Sequence, residues 1–169
     1  MSDELTRAEA GSRLADLYAL QAPAAGRLAF LLTGDRALAE DLVQEAFVRV
    51  VGRFRHLRVP DAFEAYLRQT IVNLHTSALR RRRLERAYLR REGVAIPSES
   101  MPEVGLRQDL WHELLALPPR QRAAVVLRFY EDLTERETAE ILGCSPAAAK
   151  SLVARAMETL RDRIGDGMR

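Results

Sequence analysis

Several residue types are scarce in this chain, and each scarcity narrows what it can be. One cysteine, Cys144, excludes an internal disulfide. The three histidines, His56, His75 and His112, stand far apart without metal-ligand spacing, so a structural zinc is not expected. Aromatic residues make up only 6% of the chain and runs of β-branched residues are few, which argues against a sheet. No glycine-rich phosphate loop and no nucleophile-base constellation is present, so the sequence predicts a protein that is not an enzyme and uses no cofactor. The N-terminus, MSDELTRAEAG, is acidic where a secretory leader is basic. No apolar run approaches membrane-spanning length, so the expectation is a cytoplasmic protein with no membrane partner. Lysine is nearly missing: Lys150 is the only one among 26 basic residues, a bias that GC-rich coding favours.

What is abundant is Ala, Leu, Arg and Glu, all strong helix formers, within 47% hydrophobic residues. The fold class expected is therefore all-α. The formal charge of +2 is too mild to indicate a nucleic-acid partner, but its distribution is uneven. Residues 80–91 hold seven arginines and one glutamate, and the rest of the chain is net acidic. Blocks of like charge of this kind are usually interaction surfaces.

Two helix-rich blocks, 10–92 and 106–169, flank GVAIPSESMPEVG (93–105), which has two prolines and no apolar period and reads as a flexible linker. The sequence thus predicts two small helical domains, each with a thin core. In the first, an apolar period from Leu14 to Leu32 predicts a helix bent or interrupted at Pro23 and stopped at Thr33-Gly34. Asp35 can cap a second helix with its apolar face at Ala39, Leu42, Val43, Ala46, Phe47, Val50, Val51 and Phe54. The opposite side carries Glu40, Asp41, Gln44 and Glu45 as a compact acidic patch. Asp61 with Glu64 suggests a capping box for a third helix that buries Phe63, Tyr66, Leu67, Thr70, Ile71 and Leu74. That helix meets no stop signal before Gly93, so it is expected to carry the arginine run on its surface. His75 is expected to cap or to face solvent.

The second block opens with Leu106, Leu110, Trp111, Leu114 and Leu115, pauses at Pro118-Pro119 and resumes with Ala124, Val125, Leu127 and Phe129. Trp111 is the expected anchor of this domain's own core. Thr134 with Glu137 forms a further capping box, Ala139, Ile141 and Leu142 give a short buried face, and Gly143 supplies a turn. Ser145 then caps a helix with Pro146 at its first position. Ala149, Leu152, Val153, Ala156 and Leu160 can pack, which leaves Ala147, Ala148, Lys150, Ser151 and Arg155 outward. The arrangement is a helix-turn-helix, with Cys144 expected to pack inward at its turn.

Three stretches together resemble the sigma-70 superfamily, and within it the short extracytoplasmic-function sigma factors of the actinobacterial SigE-like kind. LLTGDRALAEDLVQEAFVRV resembles the region-two helix that docks on core polymerase, and FEAYLRQTIVNLHTSALRRRR the helix that opens the minus-10 element. LPPRQRAAVVLRFYEDLTERETAEILGCSPAAAKSLVARAMETLR resembles region four, which recognises the minus-35 element. The resemblance implies a sigma factor whose partners are bacterial core RNA polymerase, promoter DNA as duplex and as opened non-template strand, and an anti-sigma protein.

By the same resemblance, Glu40, Asp41, Gln44 and Glu45 would meet the polymerase. Arg53, Arg55, His56, Arg58, Asn73, Ser77, Arg80, Arg81, Arg82 and Arg83 would meet the minus-10 DNA, and Ser145, Ala147, Ala148, Lys150, Ser151 and Arg155 the minus-35 DNA. Ser77 stands where many relatives have Asp, and Tyr66 where many have Trp, although Tyr66 also lies on the core face and reads as core. Pro146, Ala147 and Ala148 replace a Val-Gly-Thr start and Leu152 an arginine, so the last helix is expected to position the protein more than to specify sequence. Two rivals account for less of the chain: a homodimeric helix-turn-helix regulator binding duplex DNA, and a helical adaptor for a protein partner.

Overall fold

The computed structural model describes residues 2–54, 60–89 and 108–166, with side chains described at 14–53, 62–79, 81 and 110–164, and everything described is helix or short turn. The helices are α1 (Ser2–Thr33), α2 (Arg36–Phe54), α3 (Pro60–Leu89), α4 (Gln108–Ala116), α5 (Pro119–Val125), α6 (Glu135–Leu142) and α7 (Pro146–Asp166), with a π-helical segment, Val126–Tyr130, continuing α5. The expected linker, 93–105, lies outside the described residues.

α1 runs through Pro23 without interruption. A proline removes one hydrogen bond and crowds the carbonyl four residues earlier, which here belongs to Ala19. Both residues are exposed, so water can serve that carbonyl, while burial of Ala25, Leu28, Ala29, Leu31 and Leu32 holds the next turns in place. Gly34 ends the helix with φ at +71°, a backbone that other residues seldom adopt, and its N–H donates to the Phe30 carbonyl at 2.8 Å. Asp35 Oδ1 then accepts from the Leu38 N–H at 2.9 Å, the cap expected for α2.

α3 departs from its expected start. It opens at Pro60, whose fixed φ suits the first helical position, so Asp61 falls inside the first turn instead of at the cap. Glu64 pairs with Arg68, one turn on, at 2.8 Å. α1, α2 and α3 pack mutually around Phe47, Val50, Phe63, Leu67 and Ile71, and the Phe47 ring meets Tyr18 and Phe63 edge-on. His75 is buried at 6% exposure together with Val72, so of its two expected places, a cap or solvent, the one in solvent is excluded. The buried arc of α3 is wider than one stripe because α3 also packs against α5 and α6.

In the second cluster α7 packs against α4, α5 and α6. Thr134 accepts from the Glu137 N–H and Glu137 accepts from the Thr134 N–H, so the capping box is complete. Gly143 turns the chain at φ +61°, and Ser145 Oγ accepts from the Ala148 N–H at 3.2 Å before α7 begins at Pro146. The π-helical segment adds a residue to its turn, with the Glu131 N–H donating to the Val126 carbonyl. That shift in register leaves Phe129, expected among the apolar positions of this helix, 60% exposed.

The two clusters share one core. α1 and α3 contact the second cluster, and Trp111, 2% exposed, stacks on Phe30 of α1 with ring centroids 5.1 Å apart and planes 6° from parallel. Trp111 is thus a joint between the clusters as well as the anchor expected for the second. Such a pair contributes about 0.5–1.5 kcal/mol beyond its burial. Leu115 of α4 lies against Gly34, where a side chain would collide with it. Arg27 Nε donates to Tyr130 Oη at 2.9 Å, and Arg68 Nε donates to Glu131 Oε2 at 2.6 Å. Domains this small expose too much surface to be stable on thin cores, and burying these faces against each other relieves that deficit.

Candidate functional site

Glu40, Asp41, Gln44 and Glu45 are all exposed on α2, opposite the buried face of Leu42, Val43, Ala46 and Phe47. The helical period of 3.6 residues alone accounts for this sorting. Glu45 is paired at 2.5 Å with Arg49 one turn on, a contact between two exposed groups that contributes little to stability. The rest of the patch leaves a strongly acidic helix face.

Between α2 and α3 runs a groove of about 730 Å³. Its α3 wall includes Tyr66, Thr70, Asn73, Ser77 and Arg81, with Leu74 and Ala78 between them, and its α2 wall includes Leu42, Glu45, Arg49 and Arg53. Asn73, Ser77 and Arg81 are exposed, as is Arg53. Tyr66 is half-buried, with its ring against the core and its hydroxyl accepting from Arg53, whose guanidinium also lies 5.7 Å from the ring centroid. Tyr66 therefore belongs to the groove as well as to the core. The groove combines an aromatic ring, amide and hydroxyl groups and cations along one channel, the chemistry that suits an unstacked nucleotide strand.

Four of the expected minus-10 residues, Arg53, Asn73, Ser77 and Arg81, come together in this groove. Arg55, His56 and Arg58 lie outside the described residues, and Arg80, Arg82 and Arg83 are placed on α3 by its backbone only. Sequence reasoning missed Thr70 as a groove residue, and it gave Glu45 to the acidic patch alone. The signal was available in part: Tyr66, Thr70, Asn73, Ser77 and Arg81 recur at three- or four-residue steps, a second stripe beside the apolar one.

On α7, Ala147, Ala148, Lys150, Ser151 and Arg155 are exposed, as expected, and Ala149, Ala156 and Leu160 are buried. The Ser145 hydroxyl is engaged with the Ala148 N–H, and the Ser151 hydroxyl donates to the Ala147 carbonyl at 2.9 Å. Ser145 can still donate its hydroxyl proton and Ser151 can still accept at its hydroxyl oxygen. Over its first turns the outward face consists of alanine methyls, the Ser151 side chain and two cations, Lys150 and Arg155, and further along Glu158 and Arg161 are also exposed. Cys144, at the turn before it, is half-buried.

Two titratable groups of the second cluster are shifted. Glu137 is held below the usual carboxylate range by its hydrogen bonds with Thr134, the side-chain bond first, and Arg68 of α3 adds an attraction. Arg122, buried in α5, has its pKa lowered by loss of water. No group of three metal-ligating side chains occurs among the described residues, and no described helix is long and apolar enough to cross a membrane.

Comparison with known proteins agrees with this geometry. Residues 17–85 match the family model of sigma-70 region 2, and residues 107–160 that of sigma-70 region 4. The chain is 34% identical to the RNA polymerase sigma-E factor of Streptomyces coelicolor over 147 residues, covering 82% of this chain and 78% of that one. It is 33% identical to the RNA polymerase sigma factor CarQ of Myxococcus xanthus, covering 89% of this chain and 88% of that one. Among solved structures it is similar to a chain in the co-crystal structure of the sigma factor RpoE with the anti-sigma factor NepR from Bartonella quintana. That match has a TM-score of 0.73 and 25% identity, and covers 88% of this chain and 94% of that one.

Proposed function

The chain belongs to the sigma-70 superfamily, in its extracytoplasmic-function branch, and from this membership we propose how its surfaces divide the work of a sigma factor that directs transcription initiation. The acidic face of α2 docks on core RNA polymerase. The groove between α2 and α3, extended by the arginines at the end of α3, receives the opened non-template strand near minus-10. The outward face of α7 lies on duplex at minus-35. The protein performs no chemistry of its own and lends promoter choice to the polymerase.

The adjacency of two unlike surfaces on one three-helix cluster carries this reading. Glu45 and Arg49 stand on the rim they share. An acidic face repels phosphate and suits a basic protein surface, while an aromatic, amide and guanidinium channel suits single-stranded DNA. A solvated helix face alone would not adjoin such a channel. An anti-sigma protein, as in the RpoE–NepR complex, is a further partner of this reading.

On α7 the two cations serve phosphates or bases, and the alanine methyls offer contact only to apolar base edges such as the thymine methyl. This supports a helix that positions the protein more than it discriminates sequence.

Co-elution with bacterial core RNA polymerase on a sizing column tests the assignment. The wild-type chain is expected to co-elute stoichiometrically, and Asp41→Lys with Glu45→Lys to elute apart. A chain that runs alone as a homodimer would instead favour a helix-turn-helix regulator.

A further inference from the structure

Duplex DNA shows its sequence in the major groove as hydrogen-bond donors, acceptors and one apolar group, the C5-methyl of thymine. A helix-turn-helix presents the first turns of its second helix to those edges. What α7 reads therefore depends on what its first turns hold out. Ala147, Ser151 and Ala154 are all exposed, and at helical spacing they share one arc of about 60°. Lys150 and Arg155 stand on either side of that arc, roughly 60° and 80° from Ala147, with Arg161 on the Lys150 side. Long cations that flank a helix in the groove reach the bordering phosphates, which fixes its register without reading sequence.

The middle of the arc offers little hydrogen bonding. Ala147 and Ala154 present methyl groups. Ser151 has given its hydroxyl proton to the Ala147 carbonyl, so it presents an acceptor, which the amino groups of adenine and cytosine satisfy equally. The Ser145 hydroxyl precedes the helix and lies at its N-terminal end, where a phosphate is favoured. About three turns beyond Ala147, Glu158 faces the same way, and phosphate repels its carboxylate, so close contact is confined to the first turns. Neither alanine distinguishes the amino group of cytosine from the carbonyl of thymine. Both meet the neighbouring C5 position, where thymine and 5-methylcytosine carry the same methyl and uracil and cytosine carry none.

We propose that α7 reads the pyrimidine C5-methyl group and not the identity of the base: at the pairs facing Ala147 and Ala154 it takes thymine and 5-methylcytosine alike, in preference to uracil or cytosine. The proposal rests on the placement of α7 on minus-35 duplex given above. A methyl pressed against an alanine methyl leaves water, and one such contact is worth about fourfold in affinity. Methylation of a cytosine at such a position therefore lets a C·G pair stand in for T·A, which makes the upstream element responsive to cytosine methylation.

The test uses holoenzyme reconstituted from the full chain and bacterial core polymerase. Duplexes are first selected from a pool randomised across both promoter elements. At each thymine of the selected upstream element, binding is then compared for T·A, U·A, 5-methylcytosine·G and C·G. At one or two positions T·A and 5-methylcytosine·G are expected to bind alike, and U·A and C·G about fourfold more weakly. Ala154→Gly should bring the four together at one of these positions, with far-UV circular dichroism confirming the helix. Lys150→Ala should weaken all four equally. Binding to U·A as tight as to T·A, no difference among the four pairs, or an upstream element with no thymine on either strand would overturn the proposal. The four-way comparison in the wild-type chain decides this even if the glycine variant misfolds. Selection of no upstream element, together with a silent Lys150→Ala, would instead sink the placement of α7 on DNA and the methyl reading with it.

Discussion

Thr134 shows how much one side chain can set. Its hydroxyl and N–H both bond to Glu137, and the carboxylate is thereby held in its charged form below the usual pH range. Folding favours the ionised state of Glu137, so its contribution is complete above the ordinary carboxylate range and disappears as the pH falls through the lowered value. Thr134→Ala is expected to destabilise the chain by about 1 kcal/mol at neutral pH. It should also flatten the acid limb of stability, which urea titrations on both sides of the carboxylate range will detect. An unchanged acid limb in the variant would show that the cap does not hold the charge. This box was legible in the sequence because both of its members lie within four residues. The box expected at Asp61 and Glu64 has the same spelling, but the helix starts one residue earlier, at Pro60, which takes Asp61 out of the cap position. Local grammar names the candidates, and the nearest competing group decides among them.

At the scale of elements, α3 carries the most. One side is buried, one stripe lines the groove, and its last turns hold Arg80, Arg81, Arg82 and Arg83. By contrast the first turns of α7 present alanine methyls, Ser151, Lys150 and Arg155. The expected consequence is that promoter substitutions near minus-10 cost more transcription than those near minus-35. Replacing Arg80, Arg81 and Arg82 by alanine should reduce open-complex formation and lower the magnitude of its salt slope by about 2, since each single-strand phosphate contact releases roughly 0.7 counterions. Permanganate reactivity of promoter thymines measures the opening, and unchanged reactivity across salt in the variant would refute the role. The helices were readable because their apolar positions recur at helical spacing, whereas the groove's second stripe was overlooked. Polar residues at the same spacing normally mark a solvated face, so nothing local distinguishes a wall from a surface.

For the whole molecule, periodicity and turn signals gave the order of the helices among the described residues and their division into two clusters, but not how the clusters meet. Phe30 and Trp111 are far apart in the chain, and Trp111 reads as core of its own cluster until Phe30 is placed against it. The pairing of Arg68 with Glu131, and the rotation of Phe129 out of the core by the π-helical segment, likewise depend on contacts that no local pattern encodes. A shared core has a consequence that separate domains would lack. The clusters should stabilise each other, and equilibrium unfolding should be one cooperative transition. Trp111, the sole tryptophan, sits at the joint and reports on it directly. Its fluorescence in urea is expected to change at the same midpoint as far-UV circular dichroism in the wild-type chain. In Glu131→Arg the fluorescence change should come first, because the joint parts while both clusters keep their helices. If fluorescence already leads the dichroism in the wild type, the faces meet too weakly to couple the clusters, and each must be stable on its own core.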